Sequence, residues 1–181
     1  MNKILLPIVL LLLIPNMKAQ VTKITNFPEE VDLKNSSGGR VGVVGSNYFF
    51  TAATAQAGEE LWLTDGTEAG TRMVKDIRPG ATSTDYGKFT AHKGKLYFFA
   101  NNGANGFELW TSDGTEAGTK IVKDINPSGG IISTTISSHL FSDGQFLYFA
   151  AVSPGFGSEV WVSDGTSAGT SEIALLIASN S

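Results

Sequence analysis

The sequence predicts an all-β chain, a partial β-propeller of about three four-stranded antiparallel blades. Three observations predict it. A twelve-residue segment recurs three times at blade-like spacing, at Glu60–Thr71, Glu108–Thr119 and Glu159–Thr170. The strands around each copy carry large apolar side chains on both faces. No segment after residue 19 reads as a helix that could cover those faces.

The recurrent segment reads ELWLTDGTEAGT, then ELWTSDGTEAGT, then EVWVSDGTSAGT. Its tryptophans, Trp62, Trp110 and Trp161, stand 48 and 51 residues apart (110 − 62 and 161 − 110). About fourteen residues before each Trp lies an aromatic run: Tyr48-Phe49-Phe50, Tyr97-Phe98-Phe99 and Tyr148-Phe149. The first two copies are followed by V-K-D-I, at Val74–Ile77 and Val122–Ile125, and closed by Pro79-Gly80 and by Pro127. Self-similarity at this period marks a repeat architecture.

Taken in order, the first unit (about residues 40–80) offers a strand over Val41–Val44, a turn at Gly45-Ser46-Asn47, and then the aromatic, E-L-W and V-K-D-I strands. In the second unit (about 81–130), Phe89–His92 and Lys95–Ala100 flank the hairpin turn Lys93-Gly94. Asn101–Gly106 is a loop, and Leu109–Thr111 and Lys120–Ile125 are the third and fourth strands. The third unit (about 131–177) turns at Asp143-Gly144. Short apolar runs separated by Gly- and Asn-rich pairs are the signature of antiparallel hairpins. Within Glu108-Leu109-Trp110-Thr111, Leu109 and Trp110 must point to opposite faces. A sheet that is apolar on both sides needs a neighbour on each side, and stacked blades supply it.

The 181 residues, 41% apolar and 17% charged, suit a globular chain, and the 21 glycines suit one rich in tight turns. The absence of cysteine excludes disulfides and Cys-based metal sites. Residues 1–19 read as a signal peptide: Lys3 precedes the apolar run Ile4–Ile14, and Ala19 is a small residue before the cut. This eleven-residue run, broken only by Pro7, falls short of the roughly 20 of a spanning helix, so no membrane span is expected after cleavage. Loss of Lys3 and Lys18 leaves 13 − 2 = 11 basic against 17 acidic residues, a net charge of −6. With no Lys/Arg cluster, this balance argues against nucleic acid as a partner.

The D-G-T-x-A-G-T segment has a local explanation. Asp65, Asp113 and Asp164 can each accept from the backbone two residues on in an Asx-turn. Gly66, Gly114 and Gly165, with Gly70, Gly118 and Gly169, supply positions open to unusual backbone angles. The competing reading makes the three aspartates ligands of a hard cation such as Ca²⁺, against which each loop offers few carboxylates. Glu60, Glu108 and Glu159 are explained most simply by a cross-strand contact with Lys75 or Lys123; paired acids can also perform glycosidic chemistry. Trp62, Trp110 and Trp161 read as packing between blades, with an exposed platform for sugars as the alternative. His92 and His139 fall at no equivalent repeat position and read as incidental.

The long E-L-W-x-x-D-G-T-x-A-G-T string, over about residues 40–175, resembles the ELWxxDGT repeat family of exported proteins of Bacteroidetes and related bacteria. The resemblance implies a secreted or surface-associated, β-propeller-like protein with no established catalytic activity. Two departures stand out. The third unit lacks V-K-D-I, and three blades fall below the roughly four to eight of closed propellers. The end blades are then expected to leave apolar faces uncovered. A fragment of a larger propeller, a homodimer through the open blades, or the segment Val21–Phe27 within residues 20–39 folding back as an extra outer strand would each account for this.

The expected function is a non-enzymatic binding scaffold, secreted to the periplasm or the cell exterior. It would need no cofactor and would recognise an unidentified ligand, protein or polysaccharide. A carbohydrate-active propeller enzyme and a Ca²⁺-dependent adhesion module are the alternatives.

Overall fold

In a computed structural model, which describes residues 40–127, 139–153 and 157–173, the chain forms twelve β-strands and no helix among those residues. The leader (1–19), the residue 20–39 segment and Val21–Phe27 lie outside the described residues. The strands are β1 (Val41–Val44), β2 (Asn47–Thr54), β3 (Gly58–Thr64) and β4 (Arg72–Lys75). They continue as β5 (Asp85–His92), β6 (Lys95–Asn101), β7 (Phe107–Ser112) and β8 (Lys120–Lys123). The last four are β9 (Leu140–Ser142), β10 (Leu147–Ser153), β11 (Gly157–Ser163) and β12 (Thr170–Glu172). They make three four-stranded antiparallel sheets, β1–β4, β5–β8 and β9–β12, each in simple meander order. These are three propeller-type blades, and among the described residues they do not close a ring. No helix there is long and apolar enough to cross a membrane.

The turns follow from their residues. Lys93 and Gly94 both take positive φ (46° and 75°), the arrangement of a two-residue hairpin turn that follows strand twist. In the third blade, Asp143 Oδ1 accepts from the amides of Gln145 and Phe146 at 2.8 and 2.7 Å and closes the β9–β10 turn.

Strand register sharpens the repeat. Phe50 pairs with Trp62, Phe98 with Trp110 and Phe149 with Trp161, a separation of 12 residues in every copy (62 − 50, 110 − 98, 161 − 149). Aligning the copies on their Tyr residues puts the first unit one place out of step. Tyr48 therefore corresponds to Leu96 and Leu147, while Phe49 corresponds to Tyr97 and Tyr148.

Each blade presents two apolar faces, as the alternation requires. Phe49, Leu61, Leu63 and Val74 of blade 1 pack on Leu96, Phe98, Ala100 and Trp110 of blade 2. The opposite face of blade 2, with Tyr97, Phe99, Leu109 and Val122, packs on Leu140, Leu147, Phe149, Ala151 and Trp161 of blade 3. Leu109 and Trp110 thus belong to different cores, one on each side of the same sheet. The inner strands touch in series, β1 with β5 and β5 with β9. Thr90 Oγ1 donates to the Leu140 carbonyl at 3.0 Å across the second junction.

Candidate functional site

The repeated polar residues form three groups: the D-G-T loops, the glutamates that open the E-L-W strand, and basic side chains that cross from one blade to the next.

The loops are the same in every copy. Asp65 Oδ1 accepts from the Thr67 amide at 2.9 Å and the Thr67 hydroxyl at 2.7 Å. Thr67 Oγ1 accepts from the Gly70 amide, and the Thr71 hydroxyl donates to the Thr67 carbonyl. Asp113 with Thr115, Gly118 and Thr119 repeats this set, as does Asp164 with Thr166, Gly169 and Thr170. The threonine hydrogen bonds favour the ionised form and hold all three aspartates below their usual range. A Cβ on Gly70, Gly118 or Gly169 would overlap the carboxylate of Asp65, Asp113 or Asp164. The second glycine of the motif is therefore required by close approach. Gly66, Gly114 and Gly165 have φ of 93°, 90° and 95°. Gly114 and Gly165 also lie under the preceding blade, against the Phe49 ring and the Tyr97 hydroxyl respectively. No group of three or more His, Cys, Asp or Glu side chains that could hold a metal ion occurs among the described residues.

The glutamates do not pair with the lysines. Glu60 is fully buried and accepts from the Ile77 amide (2.8 Å), the Arg78 amide (3.4 Å), the Thr84 hydroxyl (2.6 Å) and the Tyr86 hydroxyl (3.2 Å). It thereby fastens the connection between blades 1 and 2 to the E-L-W strand. Burial pushes its pKa up to about 7 against the opposing pull of those donors. Burial also raises the Tyr86 hydroxyl well above its ordinary value, helped by the adjacent Glu60. Glu108, fully buried too, accepts from the Ile125 amide at 3.2 Å, and burial raises it to about 8. Glu159 is only half-buried.

The lysines expected to meet these acids reach the next blade instead. Lys75 Nζ donates to the Thr119 carbonyl at 3.0 Å, and Lys123 Nζ to the Thr170 carbonyl at 2.7 Å. Lys123 also sits over the Trp161 ring, 5.9 Å from its centroid. Arg72 adds a bond to the Gly114 carbonyl at 2.6 Å, and the Tyr97 hydroxyl one to the Gly165 carbonyl at 3.4 Å. Each D-G-T loop after the first is thus held by its predecessor. The reason is geometric: a bulge at Leu61/Trp62, and another at Leu109/Trp110, turns the fourth strand so that Lys75 and Lys123 point along the blade stack. The recurring Lys of V-K-D-I was the available signal for this clamp, with its partner hidden by the bulge.

Trp110 and Trp161 lie between blades, and Trp62 is buried at 2% exposure, 6.4 Å from Phe50 between ring centroids. None of the three offers an open platform. His92 is not incidental: it is buried between blades 2 and 3, with Nδ1 2.8 Å from Ser142 Oγ and its ring edge-on to Tyr97. Desolvation lowers its pKa.

No protein-family model, no curated protein and no solved structure matches the chain. The geometry of these groups is therefore the ground for a functional reading.

Proposed function

We propose that this chain is a non-enzymatic repeat scaffold of the ELWxxDGT type, exported by the leader read in residues 1–19, which binds a protein or polysaccharide outside the cytoplasm. One observation carries the reading: the polar groups that recur are spent on holding the blades. Asp65, Asp113 and Asp164 close their own loops, Glu60 binds the inter-blade connection, and Lys75 and Lys123 bind the next blade. A catalytic centre needs different groups in different roles around one accessible point.

The rival reading, a glycosidic hydrolase, draws on the raised pKa of Glu60 and Glu108, which suits a general acid. Both side chains are completely buried, which favours the scaffold reading over that one. Single Glu60→Gln, Glu108→Gln and Glu159→Gln variants, assayed for polysaccharide turnover with folding checked by circular dichroism, test the point. The scaffold reading expects no turnover in the parent chain. Turnover that disappears in one folded variant overturns it. The cation-dependent alternative is tested by melting the protein with and without a chelator, where the scaffold reading expects an unchanged midpoint.

A further inference from the structure

Among the described residues the exposed large hydrophobic side chains are Val41 (56%), Val43 (48%), Phe141 (62%) and Val160 (42%). All four lie on the two blade faces that have no neighbouring blade among the described residues. Val41 and Val43 stand opposite Phe50 and Tyr48, on the Trp62 side of blade 1. Phe141 stands opposite Tyr148, and Val160 opposite Ala150, on the side of blade 3 turned away from Trp161. The residues at the Val160 position in the other blades, Leu61 and Leu109, are completely buried under the next blade. The inner, exposed parts of the two faces are thus the two halves of the inner part of the interface that the chain forms twice internally.

Side-chain sizes across the inner strands match as well. At the first junction Gly42 meets Phe89, and a Cβ on Gly42 would lie 3.3 Å from the Phe89 Cβ. At the second, Thr90 meets Leu140. The corresponding residues on the open faces are Phe141 on blade 3 and Val41 on blade 1. Small-on-large and medium-on-medium pairs are followed by a large residue and a smaller one, which keeps the combined volume near constant. Gly66 has the same left-handed backbone as Gly114 and Gly165, where Phe49 and Tyr97 rest; Tyr148 is their counterpart on blade 3. Trp62 is already buried, so the contact falls on the inner half of the blade.

We propose that blade 3 of one chain docks head to tail on blade 1 of a second copy, with Phe141 and Tyr148 covering Val41, Val43, Tyr48 and Phe50. The contact joins unlike faces, so it closes a ring or runs on as a chain of copies. Two copies bring six blades, within the roughly four to eight of closed propellers. The inference rests on the scaffold reading, and its tests read assembly rather than turnover, so either can fail alone.

The test uses the full chain, expressed with its leader and recovered as the cell processes it. Sedimentation is expected to give a multiple of the single-chain mass, and a clean monomer at a concentration on the order of 100 µM overturns the proposal. The sequence has no cysteine, so introduced thiols are unambiguous. A mixture of Phe141→Cys and Val41→Cys chains is expected to form a disulfide-linked pair, since the Gly42–Phe89 geometry is close to disulfide spacing. Cross-linking of Phe141→Cys with itself alone indicates face-to-face pairing and overturns the head-to-tail arrangement. Val41→Phe overfills the junction and is expected to weaken assembly about tenfold or more. Adding Phe141→Gly to that chain recreates the Gly42–Phe89 pair and is expected to restore it. Failure of that rescue in a folded double variant counts against the proposed contact.

Discussion

The two ends of the E-L-W-x-x-D-G-T segment behave in opposite ways. At its C-terminal end the three loops share one hydrogen-bond set, partner for partner, from Asp65 and Thr67 to Asp164 and Thr166. At its N-terminal end the three glutamates differ: Glu60 has four donors, Glu108 accepts from Ile125, and Glu159 is half-buried. The Asp carboxylate of each loop finds its partners two residues on, so each copy closes by itself. The glutamate depends on the segment that leads to the next blade, which is where the copies diverge in sequence. Local closure makes a motif uniform, whereas dependence on a distant segment lets each copy find its own solution.

The largest expected effect comes from breaking the non-local end. Glu60→Ala leaves the Ile77 amide and the Thr84 and Tyr86 hydroxyls without their acceptor in a buried site. Each buried donor left unpaired costs about 1–3 kcal/mol, so a loss of about 3–5 kcal/mol is expected from urea unfolding. Removing the loop carboxylate by Asp113→Ala is expected to cost clearly less, because its partners turn to water. Asp65→Ala and Asp164→Ala should then resemble Asp113→Ala. A larger loss at any of the loops than at Glu60 would reverse the comparison.

The same contrast has a pH signature. Glu60 and Glu108 have folded pKa values of about 7 and about 8, above the ordinary 4.5. The unfolded chain therefore releases these protons first. The stability they contribute is full below about 4.5 and declines as pH rises through 7 and 8. Glu108→Gln is expected to flatten the upper part of that decline in denaturant midpoints measured from pH 4 to 9. The loop aspartates act in the opposite sense: their lowered values add stability above the usual 3.8 that is lost as pH falls through the folded values. Replacing all three with Asn should flatten the acid arm alone.

This division also explains what could be read from the sequence. The Asx-turn at Asp65 and the two-faced strands were legible because alternation and a two-residue reach are local rules. The blade count followed from the period. The partner of Lys75 was not legible, because the bulge at Leu61/Trp62 redirects it and bulges leave little trace in a short strand. The aromatic register was obscured by Tyr residues that look equivalent but sit one place apart in units 1 and 2. Counting 12 residues back from each Trp recovers it. The burial of Glu60 was hidden because its donors lie 24 and 26 residues away, Thr84 in a connecting segment without a motif and Tyr86 at the start of β5.

His92 gives the smallest effect and the cleanest case of a contact outside the repeat. It occupies the place of Val44 at the end of the inner strand, and Ser142 is its partner on the next blade. Ser142→Ala removes that hydrogen bond from a buried ring and is expected to cost about 1 kcal/mol in urea unfolding. Because desolvation lowers the His92 pKa, the folded state resists its protonation, so the stability His92 confers is present above 6.5 and lost as pH falls below it. The imidazole titration, followed by NMR, is expected to lie below 6.5 in the parent chain. A His92 that titrates at or above that value in the folded protein would mean that the ring is open to water and that the junction between blades 2 and 3 is looser than the one between blades 1 and 2.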